Sequence, residues 1–157
     1  MKKLLFIIAL PMVLFGCNSQ DGLQGFDSKE LNQKLGDVSF QPKLPTELPF
    51  EVKQADFSQP PEVQQSVNTL NFDFYGEGKE HLSLLTVNGG EVSSTSEEEY
   101  QDVEIGSVSG AYFAHDSGDQ TLRWKEEDIH YVLKFMGDQS ETDVSKEDLI
   151  KTAEAFE

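Results

Sequence analysis

The chain has 157 residues, enough for one domain, and sets 12 lysines and arginines against 29 aspartates and glutamates, a formal charge of −17. So acidic a surface is repelled by nucleic acid and by anionic headgroups, which sets nucleic-acid binding aside. A single cysteine rules out an intramolecular disulfide, while 10% aromatic residues supply a core despite the charge.

Lys2 and Lys3 open the chain with positive charge, Leu4 to Phe15 follow as an apolar run broken by Pro11, and Leu14-Phe15-Gly16-Cys17 closes it. This is the three-part layout of a secretory signal. About a dozen apolar residues fall short of the roughly twenty that span a bilayer, so residues 1–16 are expected to be removed. Leu-Phe-Gly-Cys resembles the lipobox of bacterial lipoproteins. That resemblance implies a diacylglycerol on the Cys17 sulfur and, once cleavage frees the amine, a further acyl chain such as palmitate. Two acyl chains suffice for stable anchoring. The remainder, whose charge becomes −19 when Lys2 and Lys3 leave, would then sit on the extracytoplasmic face of the cell membrane.

Residues 17–27 are polar and glycine-containing and read as a flexible tether, followed by a single domain over 28–157. Ser28-Lys29-Glu30-Leu31 begins like a capped helix, short because Gly36 stops it. Pro42, Pro45 and Pro49 keep Phe40 to Phe50 extended but unsuited to a central strand. The pattern then turns to period two. Strands are predicted over Glu51 to Ser58, over Thr69 to Tyr75 with Leu70, Phe72 and Phe74 on one face, and over Glu80 to Val87 after the Gly76-Glu77-Gly78 turn. Pro60-Pro61 breaks the first of these, and Ser93 to Gln101 is an acidic, serine-rich loop.

Val103 and Ile105 lead through Gly106 and Gly110, read as a bend or bulge, to Tyr112-Phe113-Ala114. Turns at Asp116 to Asp119 and Glu126 to Asp128 bracket a strand over Thr121 to Lys125 and precede another over Ile129 to Met136. Ser145 with Asp148 three residues on marks a helix start, and Leu149, Ile150, Ala153 and Phe156 define its apolar face. Consecutive strands and a terminal helix imply α+β: a curved antiparallel β-sheet, a meander, with a C-terminal helix packed on one face and a short N-terminal helix.

Several stretches, in order, resemble a family of Gram-positive domains labelled DUF4367. They are Leu44 to Val52, Val103 to Gly106 with Gly110 to Phe113, Leu122 to Lys125 with His130 to Leu133, and Ser145 to Ile150 with Ala153. The resemblance implies a carrier-like half-barrel, a curved sheet embracing a helix, and a binding or sensing module rather than an enzyme. It supplies no catalytic residue to carry over, and fold analogy alone does not fix function.

His81, His115 and His130 lack any i,i+4 partner, so no zinc spacing is present. Gly106-Ser107-Val108-Ser109-Gly110 imitates a nucleophile elbow, but valine holds the position a serine would need. Glu97-Glu98-Glu99 with Asp102 and Glu104 offers hard oxygen ligands, yet without the spacing of a calcium loop it reads as a solvated acidic segment. Catalytic residues, metals and cofactors are therefore all expected to be none.

Trp124 and Tyr131, on neighbouring predicted strands, together with Phe72 and Phe74, are the candidate lining of an apolar groove for an acyl chain or peptide. The same spacing suits plain core residues under the C-terminal helix. Two expectations follow. One is a membrane-anchored, non-enzymatic module binding an apolar or peptidic envelope ligand or a membrane protein partner. The other is an accessory envelope protein acting by protein contacts with no ligand, in sporulation or stress response.

Overall fold

The structure is a computed structural model that describes residues 22–38, 40–59, 68–90 and 99–157. The leader over 1–16, the lipidation residue Cys17, the Pro60-Pro61 break and the part of the acidic loop through Glu98 lie outside the described residues. Among the described residues nine strands and two α-helices follow in chain order, with a 3-10 turn at Leu35–Asp37 after the first helix: β1 (Gln24–Gly25), α1 (Lys29–Lys34), β2 (Glu47–Leu48), β3 (Gln54–Ser58), β4 (Thr69–Tyr75), β5 (His81–Asn88), β6 (Gln101–Ile105), β7 (Val108–Ala114), β8 (Gln120–Glu126), β9 (Ile129–Phe135) and α2 (Lys146–Glu154).

Seven of these strands form one open antiparallel sheet in the order β3-β4-β5-β9-β8-β7-β6, and β1 pairs with β2 apart from it. The fold is α+β, as composition and periodicity imply. The meander comes in two runs, β3 to β5 and β6 to β9, zipped together where β5 meets β9 with Leu84 opposite Leu133. Period-two patterning explains the sidedness: Leu70, Phe72 and Phe74 of β4 are buried while Asn71 and Asp73 between them are half-exposed.

The buried face meets a layer made of α1, the proline-punctuated segment and α2. Leu31 and Leu35, then Phe40, Leu44, Leu48 and Phe50, then Leu149, Ala153 and Phe156 all join Leu82, Leu84, Leu122, Leu133 and Phe135 in a single core. Each fully buried large apolar side chain contributes roughly 1.5–3 kcal/mol. α2 is started by a capping box in which the Ser145 side chain accepts from the Asp148 N–H while the Asp148 carboxylate accepts from the Ser145 N–H.

The proline segment has a definite partner. Pro45 bridges Phe156, Leu44 and Glu157 exchange N–H···O bonds at 3.1 Å in both directions, and the Thr46 N–H donates to the Ala155 carbonyl at 2.9 Å. Prolines at 42, 45 and 49 leave the donors of Leu44 and Thr46 free for that pairing.

Two expectations are corrected. The ordered body begins before residue 28: β1 pairs with β2, the Phe26 N–H donates to the Thr46 carbonyl at 2.7 Å, and the Phe26 ring stands edge-on to Phe74 at 5.3 Å. One phenylalanine inside a polar stretch is enough to dock it. The glycines at 106 and 110 do not make a bulge either, because Ile105 and Val108 pair across a two-residue turn that forms the β6–β7 hairpin. Gly106 holds φ +57 at that turn.

Candidate functional site

The four aromatic side chains expected to line a groove are core residues. Phe72 and Phe74 are fully buried, and Trp124 and Tyr131 are 5% and 2% exposed. The Phe156 ring stands edge-on to both of the latter, with centroids at 5.2 and 5.8 Å, and occupies the space a ligand would take. The Tyr131 hydroxyl accepts from the Lys43 N–H at 3.2 Å, and burial pushes its phenol pKa up. On this side the sheet is closed by the chain's own segments.

The opposite face of the sheet is open. Here His81 Nε2 lies 2.8 Å from Asp73 Oδ1, and the Tyr75 ring stacks on the imidazole with centroids at 4.5 Å. Burial, then the carboxylates of Asp73 and Asp56, raise the Tyr75 pKa. His130 Nε2 sits 3.1 Å from the Gly90 carbonyl, and His115 packs edge-on against Phe113. The three histidines thus occupy separate places. Among the described residues no three metal-ligating side chains gather; Glu99, Asp102 and Glu104 are exposed.

A shallow depression of about 180 Å³ opens beside Ser109, Gly110, Ala111, Arg123, His130 and Val132, with Trp124 and Tyr131 also reaching its lining. Two small residues on β7 create it by leaving room next to the longer ones on β8 and β9. The Arg123 guanidinium lies over the Tyr100 ring at 4.5 Å, while its Nε is sealed from solvent and has no hydrogen-bond partner among the described residues. A cationic group over an apolar floor suits a carboxylate or a peptide carbonyl.

The second feature was not foreseen from the sequence. Glu80, at the mouth of β5, is only 7% exposed, and its Oε1 accepts from the Thr142 hydroxyl. Its Oε2 is sealed, with no hydrogen-bond partner among the described residues. Burial pushes the Glu80 pKa up, but the Thr142 hydroxyl and the nearby N–H groups of Glu80 and Gly78 outweigh it, so the carboxyl stays below the usual carboxylate range. A pocket of about 310 Å³ adjoins it, walled by Pro49 and Phe50 on one side and by Glu51, Glu77 and Thr142 on others. The one sequence signal available was Gly76-Glu77-Gly78-Lys79-Glu80, two glycines closely preceding an acid at a strand start.

No protein-family model, curated protein or solved structure matches the chain. Among the described residues no helix is long and apolar enough to cross a membrane.

Proposed function

We propose that the chain is an extracytoplasmic lipoprotein of the DUF4367 type, tethered by acyl chains on Cys17, whose folded body is a non-enzymatic docking module for an envelope protein partner. The observation that carries the docking part is the seating of Phe156 against Trp124 and Tyr131. With that space filled from within, recognition falls to the surface, which is the accessory reading rather than the carrier one. The anchor part is supported by Lys2-Lys3, the apolar run and Leu14-Phe15-Gly16-Cys17.

Cell fractionation of a Cys17→Ala variant tests the anchor. The variant should leave the membrane fraction; retention there at the wild-type level overturns the reading. A second reading, an acidic or peptidic ligand on the open sheet face, is favoured by the Arg123 guanidinium at its depression. Under it, ligand captured by the wild type would be lost from Arg123→Gln.

A further inference from the structure

The seven-stranded sheet is open, and β3 is one of its edges: it pairs with β4 on one side, and among the described residues no strand pairs with the other. The register fixes which of its backbone groups are left over. At the two ends of the β4–β5 ladder the Asn88 N–H donates to the Asn68 carbonyl at 2.7 Å and the Gly76 N–H to the Glu80 carbonyl at 3.0 Å. Bonded and non-bonded pairs alternate along antiparallel strands, so Leu70, Phe72 and Phe74 bond to β5, and Asn71, Asp73 and Tyr75 bond to Ser58, Asp56 and Gln54 of β3. The N–H and C=O groups of Ala55 and Phe57 therefore point away from the sheet. Backbone groups so placed are a template for a further strand.

Beside that edge, between α1 and β3, lies a cleft of about 180 Å³. Phe26, Leu31, Val52 and Ala55 give it apolar walls, and the exposed Asp27, Glu30 and Lys34 rim it. A strand laid along β3 would direct every second side chain to the side of the cleft and the others to the open face. Strand addition draws affinity from the backbone bonds and selectivity from such a pocket.

The open face sets the charge of the added strand. Asp56 is registered directly against Asp73 across the ladder, and like charges in that position repel. Asp73 has the His81 imidazole at 2.8 Å, whereas the Asp56 carboxylate accepts from the neutral Gln54 amide at 2.7 Å. A second copy of the chain would bring another Asp56 and Asp73 to this short edge on a body of formal charge −17, which disfavours self-pairing. We propose that the β3 edge takes up an extended segment of a partner protein by strand addition, with an aliphatic side chain in the cleft beside Leu31 and Ala55 and a lysine or arginine opposite Asp56.

This names how the partner in the docking reading is held and rests on that reading. The test uses the full-length chain in uncharged detergent, titrated with acetyl-Lys-Val-Lys-Val-Lys-Val-Lys-amide while backbone amide resonances are followed. The peptide should shift Ala55 and Phe57 saturably, and its counterpart with glutamate for lysine should not. N-methylating its valines, whose amides face β3 when their side chains enter the cleft, should weaken binding about tenfold, while N-methylating the inner lysines should change it little. Asp56→Lys should weaken it about threefold. Ala55→Pro, which removes an outward donor and keeps the bonds to β4, should abolish the shifts. Equal binding of the glutamate peptide, undiminished binding after valine N-methylation, or the same shifts on concentrating the protein alone overturns the proposal. Should Ala55→Pro fail to fold, the two N-methylated peptides decide the matter on the wild type. None of these readouts involves the lipid: Cys17→Ala staying on the membrane would sink the anchor alone, and an inert lysine peptide would sink this edge alone.

Discussion

The rings of Trp124 and Tyr131 lie 4.9 Å apart and within 6° of parallel, facing each other across the β8–β9 ladder where the two residues are directly paired. Phe156 meets both edge-on, just beyond the end of α2. Offset stacking and edge-to-face contacts are the two favourable aromatic geometries; the Trp124–Tyr131 pair makes the first, and Phe156 from the C-terminal segment adds the second to each of them. The sheet's apolar face therefore binds a part of its own chain where a carrier would bind a ligand.

Replacing Phe156 by alanine should open that space. A buried phenylalanine lost to alanine costs about 3–5 kcal/mol, and Phe156 is 8% exposed. Urea unfolding should show the midpoint falling with little change in slope. The variant should also bind a small apolar probe that the wild type ignores, because the vacated volume is lined by Trp124 and Tyr131. A loss under about 1 kcal/mol would mean that neighbours collapse into the gap and that Phe156 is not the plug.

Two glycines make opposite forecasts. A Cβ on Gly137 would sit 2.1 Å from the Gly118 carbonyl oxygen, a backbone atom that cannot swing away, and the Gly137 N–H donates to Asp119 at 3.0 Å. Gly137→Ala should lower stability by about 1–3 kcal/mol or more. Gly36 has open space around it and no left-handed φ, so Gly36→Ala should be neutral or stabilising by roughly 0.4–1 kcal/mol. Thermal melts of the pair decide it; matching shifts would contradict the packing described.

Glu80 should leave a trace in the acid limb of stability. Its folded pKa lies below the ordinary 4.5, so at pH values between the two the unfolded chain binds more protons than the native one. The contribution is present above about pH 4.5 and is lost as pH falls through the folded value. Glu80→Gln should flatten that part of the curve, as measured by urea midpoints at stepped acid pH. An acid limb as steep as wild type would show that the carboxylate is not held ionised in the native state.

What was legible in the sequence follows from how local each signal is. The alternation through Ile129, Tyr131, Leu133 and Phe135 located β9, and Ser145 with Asp148 located the start of α2, because strand period and helix cap are written within a few residues. The closure of β5 on β9 is a pairing of distant segments that no window displays. β1 was hidden because its two residues are polar and exposed, their position set by Phe26 alongside. At the aromatic cluster the spacing was compatible with groove and core alike, and the choice turned on where Phe156 lands, a tertiary fact. The Glu80 pocket was missed because its parts, Phe50, Glu80 and Thr142, are about thirty and sixty residues apart.

Tyr131 should govern part of the alkaline limb. Its phenol is 2% exposed, burial raises its pKa above the ordinary 10.0, and Glu126 and Glu127 add to the effect while the Lys43 N–H and ammonium oppose it. Above about pH 10 the unfolded chain releases the phenolic proton while the native protein retains it. Stability is therefore complete below that pH and falls as pH rises toward the folded value. Tyr131→Phe removes the titrating group and also the acceptor for the Lys43 N–H, so it should cost about 1 kcal/mol near neutrality yet lose less on going alkaline. Tyr112 is shifted the same way by burial, so the alkaline fall should shrink without vanishing. Denaturation midpoints of both proteins across the alkaline range provide the measurement, and parallel curves would show that the phenol of Tyr131 ionises as freely in the folded protein as in the unfolded one.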